Sequence, residues 1–126
     1  MIQVDSLPPA YRGIVRNRSH ELASDAPLTK GGGGAGFGAH ELLEASLASC
    51  LNMAVRMHAD ARGIPLERVS TKVTLSWPDA QTSKFEYSVD LAGPMSAEQL
   101  TELQAIADDC PVRRTLSRQL AFERAR

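Results

Sequence analysis

The sequence has no apolar run approaching the roughly 20 residues that cross a bilayer. A helical membrane span is therefore excluded, and no membrane partner is expected. It has almost no net charge: 14 Lys and Arg stand against 15 Asp and Glu, a formal −1 at pH 7. The basic residues are dispersed rather than blocked together, so they read as solvated faces and not as a nucleic-acid surface. The first residues, "MIQVDSLPPAYR", lack a basic start and an apolar h-region. No secretory signal is expected, which points to the cytoplasm. In that compartment a structural disulfide is unusual. The two cysteines are then either buried small hydrophobes, the commoner fate, or a redox pair.

Several chemistries lack their spacing. There is no C-x-x-C and no H-x-x-x-H; Cys50 and Cys110 lie sixty residues apart, and His20, His40 and His58 are scattered. No metal site and no cofactor are expected. No G-x-S-x-G nucleophile elbow is present. Gly31, Gly33 and Gly36 match G-x-G-x-x-G, but "ASDAPLTK" precedes them where a dinucleotide site needs a buried strand. No G-K-[ST] follows. A run of four glycines produces such matches by chance, and the segment "DAPLTKGGGGAGFG" reads as a mobile loop, docked at its end by Phe37.

What is present describes one domain over residues 1–126, long enough to bury a core without staples. In "GIVRNRSHEL", Arg16, Arg18 and His20 alternate with Val15, Asn17 and Ser19, which is strand period. From His40 to about Arg62 nothing breaks a helix. Leu43, Leu47, Cys50 (or Leu51), Ala54, Met57 and Ala61 recur at steps of three and four. Glu41 and Glu44 near its start and Arg56 and Arg62 near its end suit the helix dipole. Gly63 supplies a C-cap and Pro65 blocks resumption. Val69, Thr71, Val73, Leu75 and Trp77 form one alternating strand, and Phe85, Tyr87, Val89 and Leu91 another. The turn "PDAQTS" joins them as an antiparallel pair. Ser96 and Gln99 have capping-box spacing ahead of a second helix with the stripe Leu100, Leu103, Ile106 and Cys110. Pro111 stops it and can begin a further turn, "PVRRTLSR". "LAFER" reads as a final short strand. The order is that of an α+β fold.

Thiol chemistry is what remains for a function. A reactive cysteine must be a thiolate, which needs a cation or a helix N-terminus beside it. Cys50 is nearly three turns into its helix, so its activation must come from another segment; Arg16, Arg18 and His20 are the candidates. Cys110, next to Pro111 and two arginines, suits a helix start.

The stretch "GFGAHELLEASLASCLNMAVRMHADARG" resembles the central helix of the OsmC/organic hydroperoxide resistance proteins. Their pattern is a glycine-rich loop, a helix entry with a glutamate, then LLxAxLxxC. "CPVRRTL" resembles the second cysteine segment of the OsmC-like branch, and the resemblance runs from about Arg16 to Leu120. It implies an OsmC-like α+β fold with a long central helix against antiparallel sheets, assembled as an intertwined homodimer with sites at the interface. It also implies a thiol-dependent peroxidase acting on organic hydroperoxides, and on hydrogen peroxide in some members. Cys50 matches the peroxidatic cysteine and Cys110 the resolving one. A family arginine stabilises the thiolate and a glutamate orients it. Glu41 matches the glutamate, nine residues before Cys50, although the hydroperoxide resistance proteins place theirs ten before, where His40 stands here. Arg18 is assigned as the arginine, with Arg16 the alternative. The reductant implied is a slender dithiol such as a lipoyl group. The helix entry "AHELL" lacks the proline common in the family. Many members of the branch have unknown substrates, so a small-molecule binding protein whose dimer interface holds an apolar ligand is the alternative reading.

Overall fold

The computed structural model describes all 126 residues, which divide into two compact units, Met1–Leu43 and Glu44–Arg126. The first holds an antiparallel sheet of β1 (Gln3–Leu7), β2 (Arg12–Arg16) and β3 (Glu21–Ser24), in that order. Strand β2 stops at Arg16. Beyond it the Asn17 side chain accepts the N–H groups of Ser19 (2.8 Å) and His20 (2.7 Å), and a turn replaces the ladder. Arg18 and His20 therefore do not share a strand face with Arg16, contrary to the alternation in the sequence.

The glycine-rich loop is held rather than loose. Asp25, buried at 6 % exposure, accepts N–H groups from Ala26 (2.8 Å), Gly33 (3.2 Å) and Ala35 (3.1 Å). A single 3-10 turn covers Leu28–Lys30. Gly32 passes so close to the Ala26 carbonyl that a Cβ there would lie 1.9 Å from its oxygen, which explains one glycine of the run. Phe37 docks the loop through its backbone: its N–H donates to Ala23 (3.0 Å) and its carbonyl accepts from Asp25 (3.1 Å), while the side chain stays exposed.

Helix α1 (Ala39–Arg62) leaves the loop and supplies the core of the second unit. Its buried residues are Leu47, Leu51, Val55 and Ala59, a strict i+4 row. The buried stripe lies partly one face over from the one the spacing predicts: Leu43 and Met57 are exposed, and Cys50 and Ala54 only flank the core. The helix ends as expected, with Gly63 in the left-handed region at φ 64 and the Ile64 N–H bonded to Ala59. Strands β4 (Arg68–Asp79) and β5 (Thr82–Ala92) form an antiparallel hairpin. Pairing Val69 with Leu91, Thr71 with Val89, Val73 with Tyr87 and Leu75 with Phe85 puts these side chains on one face, against the α1 row. Burial stops after Leu75, where the register slips between Ser76 and Asp79, and Trp77 is left half-exposed.

A second i+4 row of α1 is stitched to β4. The Leu75 N–H donates to Glu44 Oε2 (2.8 Å), Thr71 Oγ1 donates to the Ala48 carbonyl (2.8 Å), and Asn52 Nδ2 donates to the Val69 carbonyl (3.2 Å). Helix α2 (Ala97–Ala107) begins with the expected capping box at Ser96 and Gln99 and buries Leu103 and Ala107. Leu100 is partly exposed, and Cys110 lies outside this helix, leading instead into α3 (Pro111–Leu116). Residues 119–126 pair with no strand, so "LAFER" is not a β element. No helix is long and apolar enough to cross a membrane.

The Asp25 carboxyl lies below its ordinary value of 3.8, chiefly through the Ala35 N–H; burial opposes, and the Ala26 and Gly33 amides lower it further. Its contribution to folding is thus present above pH 3.8 and is lost as pH falls through the lower, folded value. We expect the NMR shifts of the Gly33 and Ala35 amides to titrate together below 3.8; a midpoint at or above it contradicts this account of the loop.

Candidate active site

Cys50 and Cys110 are both free thiols of the second unit, and the fold brings them together. Cys50 stands on α1 between two residues of the helix's exposed and buried rows, and is half-buried against the core. Cys110 is 0 % exposed. The proline after it settles its place: Pro111 cannot extend α2, but suits the first position of a helix. Cys110 therefore adopts an extended backbone (φ −89, ψ 153) and caps α3, its Sγ accepting the Arg113 N–H at 3.4 Å.

Because Pro111 has no N–H, the first amides free in α3 are those of Val112 and Arg113. Val112 donates to Cys50 Sγ at 3.4 Å, and Arg113 donates to Cys110 Sγ. Each sulfur thus has one backbone donor from the same turn. An N–H donor favours thiolate over thiol, because the anion is the stronger acceptor. The sequence points Cys50 to a side-chain cation and not to this backbone donor. The Cys-Pro dipeptide at a helix start was the available signal. Burial, the largest influence, pushes the Cys110 thiol above its ordinary value; the Arg113 amide opposes, and a hydrogen bond with Cys50 and its charge push upward again. The Arg113 and Arg114 guanidinium groups turn back on the α2 end. Arg113 donates to the Asp108 carbonyl, and Arg114 pairs with Asp109 at 3.0 Å.

The remaining candidates belong to the first unit. Arg16 is engaged by Asp5 at 2.6 Å and Glu21 at 3.1 Å. Arg18 is exposed in the turn between β2 and β3 and forms no ion pair. Glu41, in the first turn of α1, accepts the Gly38 N–H on Oε1 at 2.8 Å, which secures the helix entry in place of the missing proline. No group of three or more His, Cys, Asp or Glu side chains gathers to hold a metal ion.

Residues 31–123 match the family model described as OsmC-like protein. The fold is similar to that of an OsmC-like protein from Mycoplasma pneumoniae, at 18% identity over 92% of this chain and 86% of that one, with a TM-score of 0.74. It is also similar to an organic hydroperoxide resistance protein from Legionella pneumophila, at 22% identity over 93% and 88% of the two chains (TM-score 0.67). An OsmC-like protein of unknown function from Vibrio cholerae O1 shares it too, at 13% identity over 86% and 80%, with a TM-score of 0.66. At these identities the likeness is one of fold. No curated protein matches the sequence.

The different settings of the two thiols predict their order of reaction. In the reduced protein at pH 8, iodoacetamide is expected to label Cys50 first, with Cys110 modified only after unfolding, as read by peptide mass mapping. Faster labelling of native Cys110 contradicts the site as described.

Proposed function

Because the chain belongs to the OsmC-like family, we propose that it is a thiol-dependent peroxidase that reduces organic hydroperoxides through Cys50 and Cys110. The observation that carries the reading is the meeting of two free cysteines, sixty residues apart in sequence, each with one amide of α3 on its sulfur. The half-buried Cys50 is the attacking thiolate. It takes the terminal peroxide oxygen, the O–O bond breaks, and the alkoxide leaves as an alcohol after gaining a proton. Cys50 is then a sulfenic acid. The Cys110 thiol condenses with it, releasing water and leaving a Cys50–Cys110 disulfide. A dithiol reductant, of the lipoyl type, returns both thiols and is itself oxidised to a disulfide.

Arg18 is the cation assigned to the Cys50 thiolate. It is the less committed of the two candidate arginines, since Arg16 is already held by Asp5 and Glu21. Glu41 orients that arginine in this reading; Oε1 is taken by Gly38, and Oε2 is left for a guanidinium. A homodimer supplies the rest. Met53 and Met57 are exposed along α1, with 53% and 67% of their surface open, and a second copy is the occupant proposed for them. Light scattering at micromolar concentration is expected to give twice the chain mass, and a monomer counts against an interface site.

One observation favours a second reading, a small-molecule binding protein. The first unit carries an open cleft of about 990 Å³ with Val4, Tyr11, Val15 and Leu42 among its walls. Mutant kinetics separate the two. Cys50→Ser should abolish consumption of cumene hydroperoxide. Cys110→Ser should react once, stall as the sulfenic acid and over-oxidise with excess peroxide. Arg18→Ala should slow the first step by about 10-fold or more, since the attacking sulfur loses its cation. If Cys50→Ser still turns over while Cys110→Ser does not, the roles are reversed. If neither variant changes the rate, the binding reading stands.

A further inference from the structure

We propose that Tyr87 is a positioning residue for Cys110, its hydroxyl fixing the short link that presents the thiol to Cys50. The proposal rests on the reading of Cys50 and Cys110 as a redox pair.

Between the end of α2 at Ala107 and the start of α3 at Pro111 lie only Asp108, Asp109 and Cys110. Upstream, α2 is fixed by buried Leu103 and Ala107 and by Gln104 Nε2, which donates to the Val89 carbonyl of β5 at 3.1 Å. Within the link, Asp109 is held by Arg114 of α3 (3.0 Å), and the one tie that reaches it from the hairpin is Tyr87, whose hydroxyl donates to Asp108 Oδ1 at 2.8 Å. The Asp108 carbonyl accepts from Arg113, the residue whose amide holds the Cys110 sulfur. Asp108 is thus held on its side chain by β5 and on its backbone by α3.

The inward face of the hairpin shows what the hydroxyl is for. Its side chains are Val69, Thr71, Val73, Leu75, Phe85, Tyr87, Val89 and Leu91, apolar apart from two hydroxyls. Both hydroxyls tie a cysteine-bearing segment at the second residue before the cysteine. Thr71 bonds to Ala48, ahead of Cys50, and Tyr87 bonds to Asp108, ahead of Cys110. One rigid hairpin therefore sets both sulfurs relative to each other. A phenylalanine at 87 would fill the core equally well and leave the Cys110 link tied to α3 but no longer to the hairpin. The phenol remains a donor throughout the neutral range, because Asp108 first and burial second hold its proton.

Disulfide exchange with glutathione tests this without any peroxide. Two protein thiols and one oxidised glutathione give the Cys50–Cys110 disulfide and two reduced glutathiones, and the equilibrium constant reports how well the thiols are placed. Tyr87→Phe is expected to lower it by about 5-fold, the effect of one side-chain hydrogen bond of ordinary strength. Asp108→Ala should give the same drop, and the double variant no further drop. Asp108→Asn, which keeps the acceptor, should stay near wild type. A Tyr87→Phe constant equal to wild type, whatever its melting temperature, overturns the proposal. So do single effects that add in the double variant. If Tyr87→Phe fails to fold, a difference between Asp108→Ala and Asp108→Asn supports the proposal, and equality overturns it. If the wild-type protein forms no such disulfide at any glutathione ratio, the redox-pair reading falls and takes this proposal with it. If it forms the disulfide with glutathione but not with peroxides, only the peroxidase reading falls.

Discussion

The sharing of one helical turn between two sulfurs is the constraint on which the site depends. Pro111 removes the first amide of α3, so Val112 and Arg113 are the first donors left, and each meets a different cysteine. That arrangement requires α1 and α3 to meet at one depth, and the rest of the second unit enforces it. The Leu47–Leu51–Val55–Ala59 row anchors α1 in the core, while the Glu44–Ala48–Asn52 row fixes its height along β4. Burying each of the leucines contributes on the order of 1.5–3 kcal/mol. The hydrogen bonds to β4 add less in energy, but they set the position.

From a similar donor at each sulfur, burial makes two different groups. Cys50 is half-buried, whereas Cys110 is enclosed and burial pushes its thiol upward. In the proposed cycle a protonated, enclosed partner suits the second step, where a thiol would meet a sulfenic acid rather than solvent peroxide. The asymmetry arises from packing around Cys110 alone. Leu103 and Ala107 share its buried cluster, and Tyr87 packs against that cluster.

Much of this was legible in the sequence where a local rule decides the outcome. The alternation in β4 and β5 gave the face they bury, the Ser96–Gln99 box was formed as spaced, and Gly63 ended α1. The Cys-Pro pair correctly indicated a helix start at Cys110. The failures come where distant contacts override local period. The α1 stripe shifted because alanines and methionines leave several faces equally apolar, and only the hairpin chooses among them. Asn17 turned an apparent strand into a hairpin by capturing two amides, separating Arg18 from Arg16. The loop expected to be mobile is tied by Asp25, whose three partners lie up to ten residues away. The Val112 amide at Cys50 spans 62 residues and has no side-chain signature at all.

The most direct test is to add one equivalent of tert-butyl hydroperoxide to the reduced protein and follow both thiols by rapid quench and non-reducing peptide mapping. The account predicts that both disappear together, far faster than free cysteine reacts, into a single intrachain Cys50–Cys110 disulfide. Oxidation at the rate of free cysteine, or a disulfide between chains in its place, would contradict it.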